Sequence, residues 1–266
     1  MNRRFLQKIY YKLPRVPANW MLRIYCWFKK ILHYHAFFYD WFNFRQLAKK
    51  APRFHLSFND LMPIIEEATA ETGFDRHYIY HPAWAARILA VNKPQFHVDI
   101  SSSLSFSILV SAFIPVHFYD YRPAPLALSG LICGRADLLK LPFNDNELHS
   151  LSCMHVVEHV GLGRYGDKLD YDGDLKAILE LKRVLAPGGT LLFVAPIGKP
   201  KIMFNAHRIY SYDQIMDYFK DLELKEFALI PRPSDGNLLI NPSKELVDDQ
   251  DYGCGCFWFT KQSVSV

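Results

Sequence analysis

No C-x-x-C pair occurs in this chain, and its five cysteines, Cys26, Cys133, Cys153, Cys254 and Cys256, are scattered and odd in number. Neither a disulfide framework nor a zinc site is expected, no metal ligands are assigned, and free thiols suit a reducing cytoplasm. Cys254 and Cys256 lie two apart in a predicted strand and read as packing residues. Long uncharged runs are equally scarce. Only Ile100–Tyr119 is free of Asp, Glu, Lys and Arg over a membrane-length window, and its serines, its Pro115 and its place between two predicted strands argue against a span. No G-x-G-x-x-G follows the first predicted strand, which removes the usual ground for a nicotinamide-dependent dehydrogenase. A Gly/Ser-rich linker, an internal repeat, a low-complexity tract and a secretory cleavage pattern are also missing.

Acidic residues are nearly absent from the first fifty positions. These hold eleven Lys and Arg against the single Asp40, a local +10, while the other 216 residues carry 20 basic and 26 acidic groups, or −6. The basic segment is also aromatic, with Trp20, Trp27, Trp41, Tyr25, Phe28 and Phe38 among Arg23, Lys29 and Lys30. Two readings follow. Cations beside Trp and Tyr suit peripheral contact of the first 45 residues with the inner face of a membrane. Alternatively, the segment is a helical cap packed on a folded core. No nucleic-acid-binding motif accompanies the charge, so nucleic acid is not expected as a partner.

Length and hydrophobic content predict one core of ordinary size plus an extension. The expected division is a helical extension over 1–94 and an α/β domain over 95–266. In the extension, Pro14 and Pro17 are expected to separate two or three helical pieces. Helices are predicted over Ser57–Thr72, closed by Gly73, and over Pro82–Ala90.

The most informative stretch is Leu138–Pro196. Leu148–Met154 is an apolar run that suits a buried strand delivering His155, Glu158 and His159 at its carboxyl end. A glycine-rich loop follows. Leu175, Ile178, Leu179, Leu181, Val184 and Leu185 then recur at helical spacing behind Asp172 and Asp174, which sit at the positive helix end. Pro187, Gly188 and Gly189 stop that helix, and Thr190–Ala195 is a second strand. Strand, crossover helix and strand form the unit of a parallel α/β sheet, which binds ligands outside the carboxyl ends of its strands.

These residues resemble a known family. The "LPF" at 141–143, the "EH" at 158–159 and the run "ELKRVLAPGG" at 180–189 are similar to the second half of class I S-adenosylmethionine-dependent methyltransferases of type 11. The likeness covers roughly Phe96–Phe219, and the strings "EHVGLGRYGD" and "FNAHR" resemble a bacterial subfamily. The resemblance implies a Rossmann-like, mostly parallel sheet with an antiparallel last strand, and S-adenosylmethionine as cofactor. Its cofactor loop would follow Phe96–Ile100 as D-x-G-x-G-x-G. Here Asp99 is followed by Ser101, Ser103 and Ser105 at the three glycine positions.

From the resemblance, cofactor contacts are expected from Asp99, Ser101, Ser103, Asp137, Leu138 and His155. Asp120, closing a predicted strand Val116–Tyr119, is expected to accept from ribose hydroxyls; the ordinary reading is a cap on the turn that follows it. Methyl transfer needs an aligned acceptor and, for a hydroxyl, a base. His159 or His207 is expected as that base, near His155, with Glu158 orienting a partner. Arg164, Tyr165, Asn205 and Arg208 are candidates for holding the acceptor, a small molecule or a glycan such as a surface-polysaccharide sugar. The rival expectation is a non-catalytic scaffold that kept the fold after losing the glycines. A helix is expected over Ser107–Phe113, with an excursion near the site mouth over Pro231–Gln250.

Overall fold

The computed structural model describes residues 15–50 and 53–263. The chain divides into two compact units, Met1–Gly73 and Phe74–Val266.

In the first unit, α1 runs without a break over Arg15–Lys50. The break expected at Pro17 does not occur: Pro17 lies in the first turn, where a backbone N–H would have no partner within the helix. Pro14 lies outside the described residues. Trp20, Trp27, Phe28, Leu32, Phe42 and Phe44 are all exposed on α1. The helix expected over Ser57–Thr72 is also not formed. Only a single 3-10 turn, Phe58–Asp60, appears there, with Ser57 accepting from the Asn59 N–H. Pro63 disfavours helical backbone at Met62, and Met62 and Ile64 stay exposed, so the stretch has no buried face to offset helix formation.

The second unit opens with α2, Arg76–Asn92, which starts six residues before the predicted Pro82. Asp75 caps it by accepting from the Tyr78 N–H at 3.2 Å, a start signal upstream of the proline. The helix buries Trp84, Ala85, Ile88 and Leu89 and so belongs to the core of this unit.

The elements that follow are β1 (His97–Ile100), α3 (Leu104–Val110), β2 (Val116–Asp120), β3 (Leu131–Arg135), β4 (Leu148–Met154), α4 (Gly173–Val184), β5 (Leu185–Ile197), β6 (Lys201–Met203), β7 (His207–Ile209), α5 (Tyr212–Tyr218), β8 (Leu222–Ile230), β9 (Leu239–Ile240), α6 (Lys244–Asp248) and β10 (Gly253–Lys261). The main sheet has the order β3-β2-β1-β4-β5-β10-β8-β9. Strands β1 to β5 pair in parallel, and β10 is antiparallel to both β5 and β8. This is the Rossmann-like class I methyltransferase sheet, with its antiparallel strand inserted at one end.

Local chemistry explains the remaining boundaries. Helix α3 begins three residues before the predicted Ser107, because Ser103 takes the extended cap conformation and Phe106 and Val110 form the buried face. Strand β5 begins at Leu185 rather than Thr190. The Pro-Gly-Gly stretch is taken up as a bulge against β4, where Leu148 pairs Leu185 and Ser150 pairs Thr190. The excursion over Pro231–Gln250 folds into β9, at the edge of the sheet beside β8, and α6, and none of its residues lines the cavity described below.

Two of the motif fragments meet in space. Glu180 accepts from the Leu141 N–H at 2.9 Å, and Arg183 donates to the carbonyls of Phe143 (2.8 Å) and Leu141 (3.2 Å) and to Asp145 (2.8 Å). The "LPF" turn is thus clamped onto the helix that carries "ELKRV".

Beneath the sheet's carboxyl edge, Asp99 is fully buried and accepts from the hydroxyls of Ser107 and Ser152, both at 2.5 Å. Ser152 in turn meets His97 Nε2 at 2.9 Å. Burial pushes the Asp99 carboxyl up to about 6, against the three serine hydroxyls that favour its charge, and holds His97 down at about 3 and neutral. A carboxyl raised in the native state binds its proton more tightly there, so stability falls as pH rises from the unfolded value near ~3.9 through about 6. The slope totals about 3 kcal/mol. Urea unfolding across this window is expected to show that loss in the wild-type chain and a flatter profile in Asp99→Asn.

Candidate active site

Strand β1 has β2 on one side and β4 on the other, so the chain leaves the centre of the sheet in opposite directions, which opens a crevice at the carboxyl ends. A cavity of about 330 Å³ fills it, a size that suits a small-molecule ligand. Every one of the first four strands contributes a wall: Ser101 after β1, Asp120 at the end of β2, Asp137 and Leu138 after β3, and His155 and His159 after β4.

The acidic corner has a defined geometry. Asp120 accepts from the Arg122 N–H at 2.7 Å, so the turn-capping role is realised, and the same residue faces the cavity. Asp137 does likewise with the Leu139 N–H at 2.9 Å. Ala136 and Leu138 add apolar wall between the two carboxylates.

The serine loop keeps the glycine-like bend. Ser101 sits at φ 56, in the left-handed region that costs a non-glycine residue about 1 kcal/mol or more. Its N–H donates to the Tyr119 carbonyl at 2.7 Å and its hydroxyl to the same oxygen at 3.3 Å, which fixes the bend. Ser102 accepts from the Met154 N–H at 3.0 Å and ties the loop to β4. Of the three substituted positions, only Ser101 lines the cavity; Ser103 stands at the N-cap position of α3 with its hydroxyl accepting from the Ser105 hydroxyl at 3.3 Å instead of from the helix backbone.

Past β4, His155 also has positive φ, 58°. Its Nδ1 meets Glu158 Oε1 at 2.8 Å and its Nε2 meets the Cys254 sulfur at 3.2 Å, so both ring nitrogens are engaged. Glu158 is buried: desolvation works against its charge, but the His155 bond and the histidines around it prevail and hold the carboxyl low. His159 Nδ1 donates to the Ala206 carbonyl at 2.7 Å, which leaves Nε2 as its free acceptor, 3.8 Å from Glu158 Oε1. Burial, more than the nearby Glu158, sets the His159 pKa below its ordinary value, so the ring is neutral at physiological pH. Tyr165 packs edge-on against His159, and Arg122 lies over the Tyr165 ring at 4.6 Å.

Several expected site residues stand elsewhere. Asp99 is sealed in its serine network, and Glu158 and His207 are not in the cavity wall. Asn205 is exposed at the turn of the β6–β7 hairpin. Arg164 donates to the Ala206 carbonyl at 2.9 Å and lines no part of the cavity. Arg208, expected to hold the acceptor, is buried as a strut. It pairs with Asp174 at 3.5 Å and donates to the carbonyls of Val160 (2.7 Å) and Tyr171 (3.0 Å). The glycine-rich loop is pinned rather than free, because the Asp167 carboxylate accepts from the N–H groups of Gly161 (2.7 Å), Gly163 (3.3 Å) and Tyr165 (3.2 Å).

Sequence reasoning missed Arg122, Asp167, Lys168 and Tyr121 in the wall. An aspartate closing a glycine-rich turn was the available signal for Asp167.

The strand order and the crevice define a class I methyltransferase fold with a cavity at the carboxyl ends of its parallel strands. The family described as "Caenorhabditis protein of unknown function, DUF268" matches residues 144–224. Among solved structures, the chain is similar to the Burkholderia thailandensis 1,6-didemethyltoxoflavin-N1-methyltransferase with S-adenosylhomocysteine bound (10% identity, 68% of this chain and 79% of that one, TM-score 0.48). It is also similar to a TehB-like SAM-dependent methyltransferase of Corynebacterium glutamicum (15%, 69% and 89%, TM-score 0.43) and to the cyclase SpnF (11%, 69% and 82%, TM-score 0.47). No curated protein matches the sequence.

Removing the guanidinium of Arg208 would leave Asp174 buried without its cation and several carbonyls without donors. Arg208→Ala is expected to cost about 3–5 kcal/mol in chemical denaturation. Arg208→Lys should recover only part of it, since a point charge cannot serve carbonyls on both sides as the planar fork does.

Proposed function

We propose that this chain is an S-adenosylmethionine-dependent methyltransferase whose acceptor is a small molecule or a glycan, with the surface-polysaccharide sugar as the leading glycan. The observation that carries the reading is the cavity at the topological switch point, with Asp120 at the end of β2 and Asp137 after β3. The residues fit the cofactor: a carboxylate for ribose hydroxyls, an apolar wall at Ala136 and Leu138 for a purine, and a bent loop at Ser101 for close backbone approach. When bound, S-adenosylmethionine supplies an electrophilic methyl group on sulfur.

The chain's own residues position and deprotonate the acceptor. His159 holds its Nε2 lone pair available because Nδ1 is committed to Ala206. A proton taken up at Nε2 would lie 3.8 Å from Glu158 Oε1, whose charge stabilises the imidazolium. Tyr165 and Arg122 offer a stacked, cationic rim for a sugar or an anionic acceptor.

Calorimetric titration with S-adenosylmethionine and S-adenosylhomocysteine tests the cofactor assignment. Micromolar binding is expected, abolished by Asp120→Ala and kept by His159→Ala. Absence of binding to the folded chain would overturn the enzyme in favour of a scaffold that retains the fold alone. In an acceptor screen, His159→Ala is expected to lower turnover by about 10²–10⁴.

The proposal extends to the membrane surface for α1. It carries seven Lys and Arg against Asp40 and exposes Trp20, Trp27 and Phe28, which supports contact with anionic lipid. No helix among the described residues is long and apolar enough to cross a membrane. Co-sedimentation with phosphatidylserine vesicles should retain the full chain at low salt and release it at high salt; no retention at low salt would refute the contact.

A further inference from the structure

At the cavity wall, His155 meets side chains from two other elements, His77 and Cys254, to which the proposed methyl transfer gives no role. Helix α2 places His77 and His81 one turn apart on the same face. His155 directly follows β4, held by its N–H to the Val194 carbonyl of β5 at 2.9 Å, and β10 enters antiparallel to β5 with Cys254 opposite Pro196. Three elements thereby converge, and one donor atom from each of His77, His155 and Cys254 lies within 4.8 Å of the other two.

The surroundings are those of a ligand set. Glu158 Oε1 holds His155 Nδ1 at 2.8 Å, which fixes the ring so that Nε2 faces the Cys254 sulfur at 3.2 Å. A carboxylate on the far nitrogen is the usual support of a metal-bound histidine, setting its tautomer and raising its basicity. His81 has no accessible surface. Its Nδ1 is engaged by the His77 carbonyl at 2.6 Å, its Nε2 has no hydrogen-bond partner, and its ring centroid is 5.1 Å from that of His155. Glu158 Oε2 is likewise buried without a partner. Buried polar atoms are rarely left without a partner, and two of them stand beside this converging His-His-Cys set.

We propose that His77, His155 Nε2 and Cys254 Sγ bind a divalent transition cation, Zn²⁺ by the mixture of two imidazoles and one thiolate. Binding replaces the His155–Cys254 hydrogen bond with two bonds to the metal and releases the thiol proton to solvent. Three protein donors leave the fourth tetrahedral position to a water or an incoming ligand, and His81 supplies a buried nitrogen next to the site. The absence of a C-x-x-C pair hid this set, because its donors come from three elements separated by the whole domain. The site does not rest on the cofactor reading.

Cobalt titration of the chelator-treated full chain tests it. One equivalent of Co²⁺ is expected to give a thiolate-to-metal charge-transfer band in the near ultraviolet and intense visible bands of a tetrahedral site, and Zn²⁺ should displace them. Cys254→Ser should remove the charge-transfer band. His77 is half-buried; His77→Ala, with its fold checked by circular dichroism, should weaken Zn²⁺ binding by about 10-fold or more, and Glu158→Gln by about 10–100-fold. Asp120→Ala should leave the cobalt spectrum unchanged. A folded wild-type chain without the charge-transfer band, or a band that persists in Cys254→Ser, would overturn the proposal.

Discussion

The burial of Asp99 under the centre of the sheet is the constraint on which the rest of the structure depends. Strand β1 is buried at every residue, so a carboxyl group there has to find its partners within the protein. It finds them in Ser107 of α3 and Ser152 of β4, which join the first crossover to the strand across the switch point. Those two bonds hold α3 and β4 against β1. Ser101 and His155 emerge after β1 and β4, both in left-handed backbone and both facing the same cavity.

The cavity's outer wall is held with the same economy of parts. Asp167 gathers three backbone N–H groups of the glycine-rich loop, and Arg208 ties the carbonyls on either side of that loop to Asp174. A loop held this way presents Tyr165 and Lys168 from a fixed position, so a ligand's contacts are pre-formed instead of ordered on binding. The polar residues that looked available for substrate in the chain order are largely the ones that build this frame.

That substitution marks the limit of what the sequence made legible. The strand, helix and strand over Leu148–Ala195 could be read from periodicity, because apolar spacing there follows burial in a parallel sheet, and Asp120 followed from its place at a strand end, whereas Asp137 and Leu138 came only with the family resemblance. Arg208 could not be separated from a substrate clamp, since only the fold reveals the buried Asp174 opposite it. The start of α2 was hidden by Pro82, although Asp75 offered a cap, and with it went His77 and His81. The apolar spacing over Ser57–Thr72 misled for the opposite reason: periodicity without a surface to pack on does not make a helix.

A crystal structure of the chain grown with S-adenosylhomocysteine tests the central claim most directly. The ligand is expected in the crevice between β1, β2 and β4, with its ribose hydroxyls within hydrogen-bond distance of Asp120 and its base against Leu138. Density for the ligand at any other place, with the crevice open and Asp120 uncontacted, would contradict the assignment of this cavity.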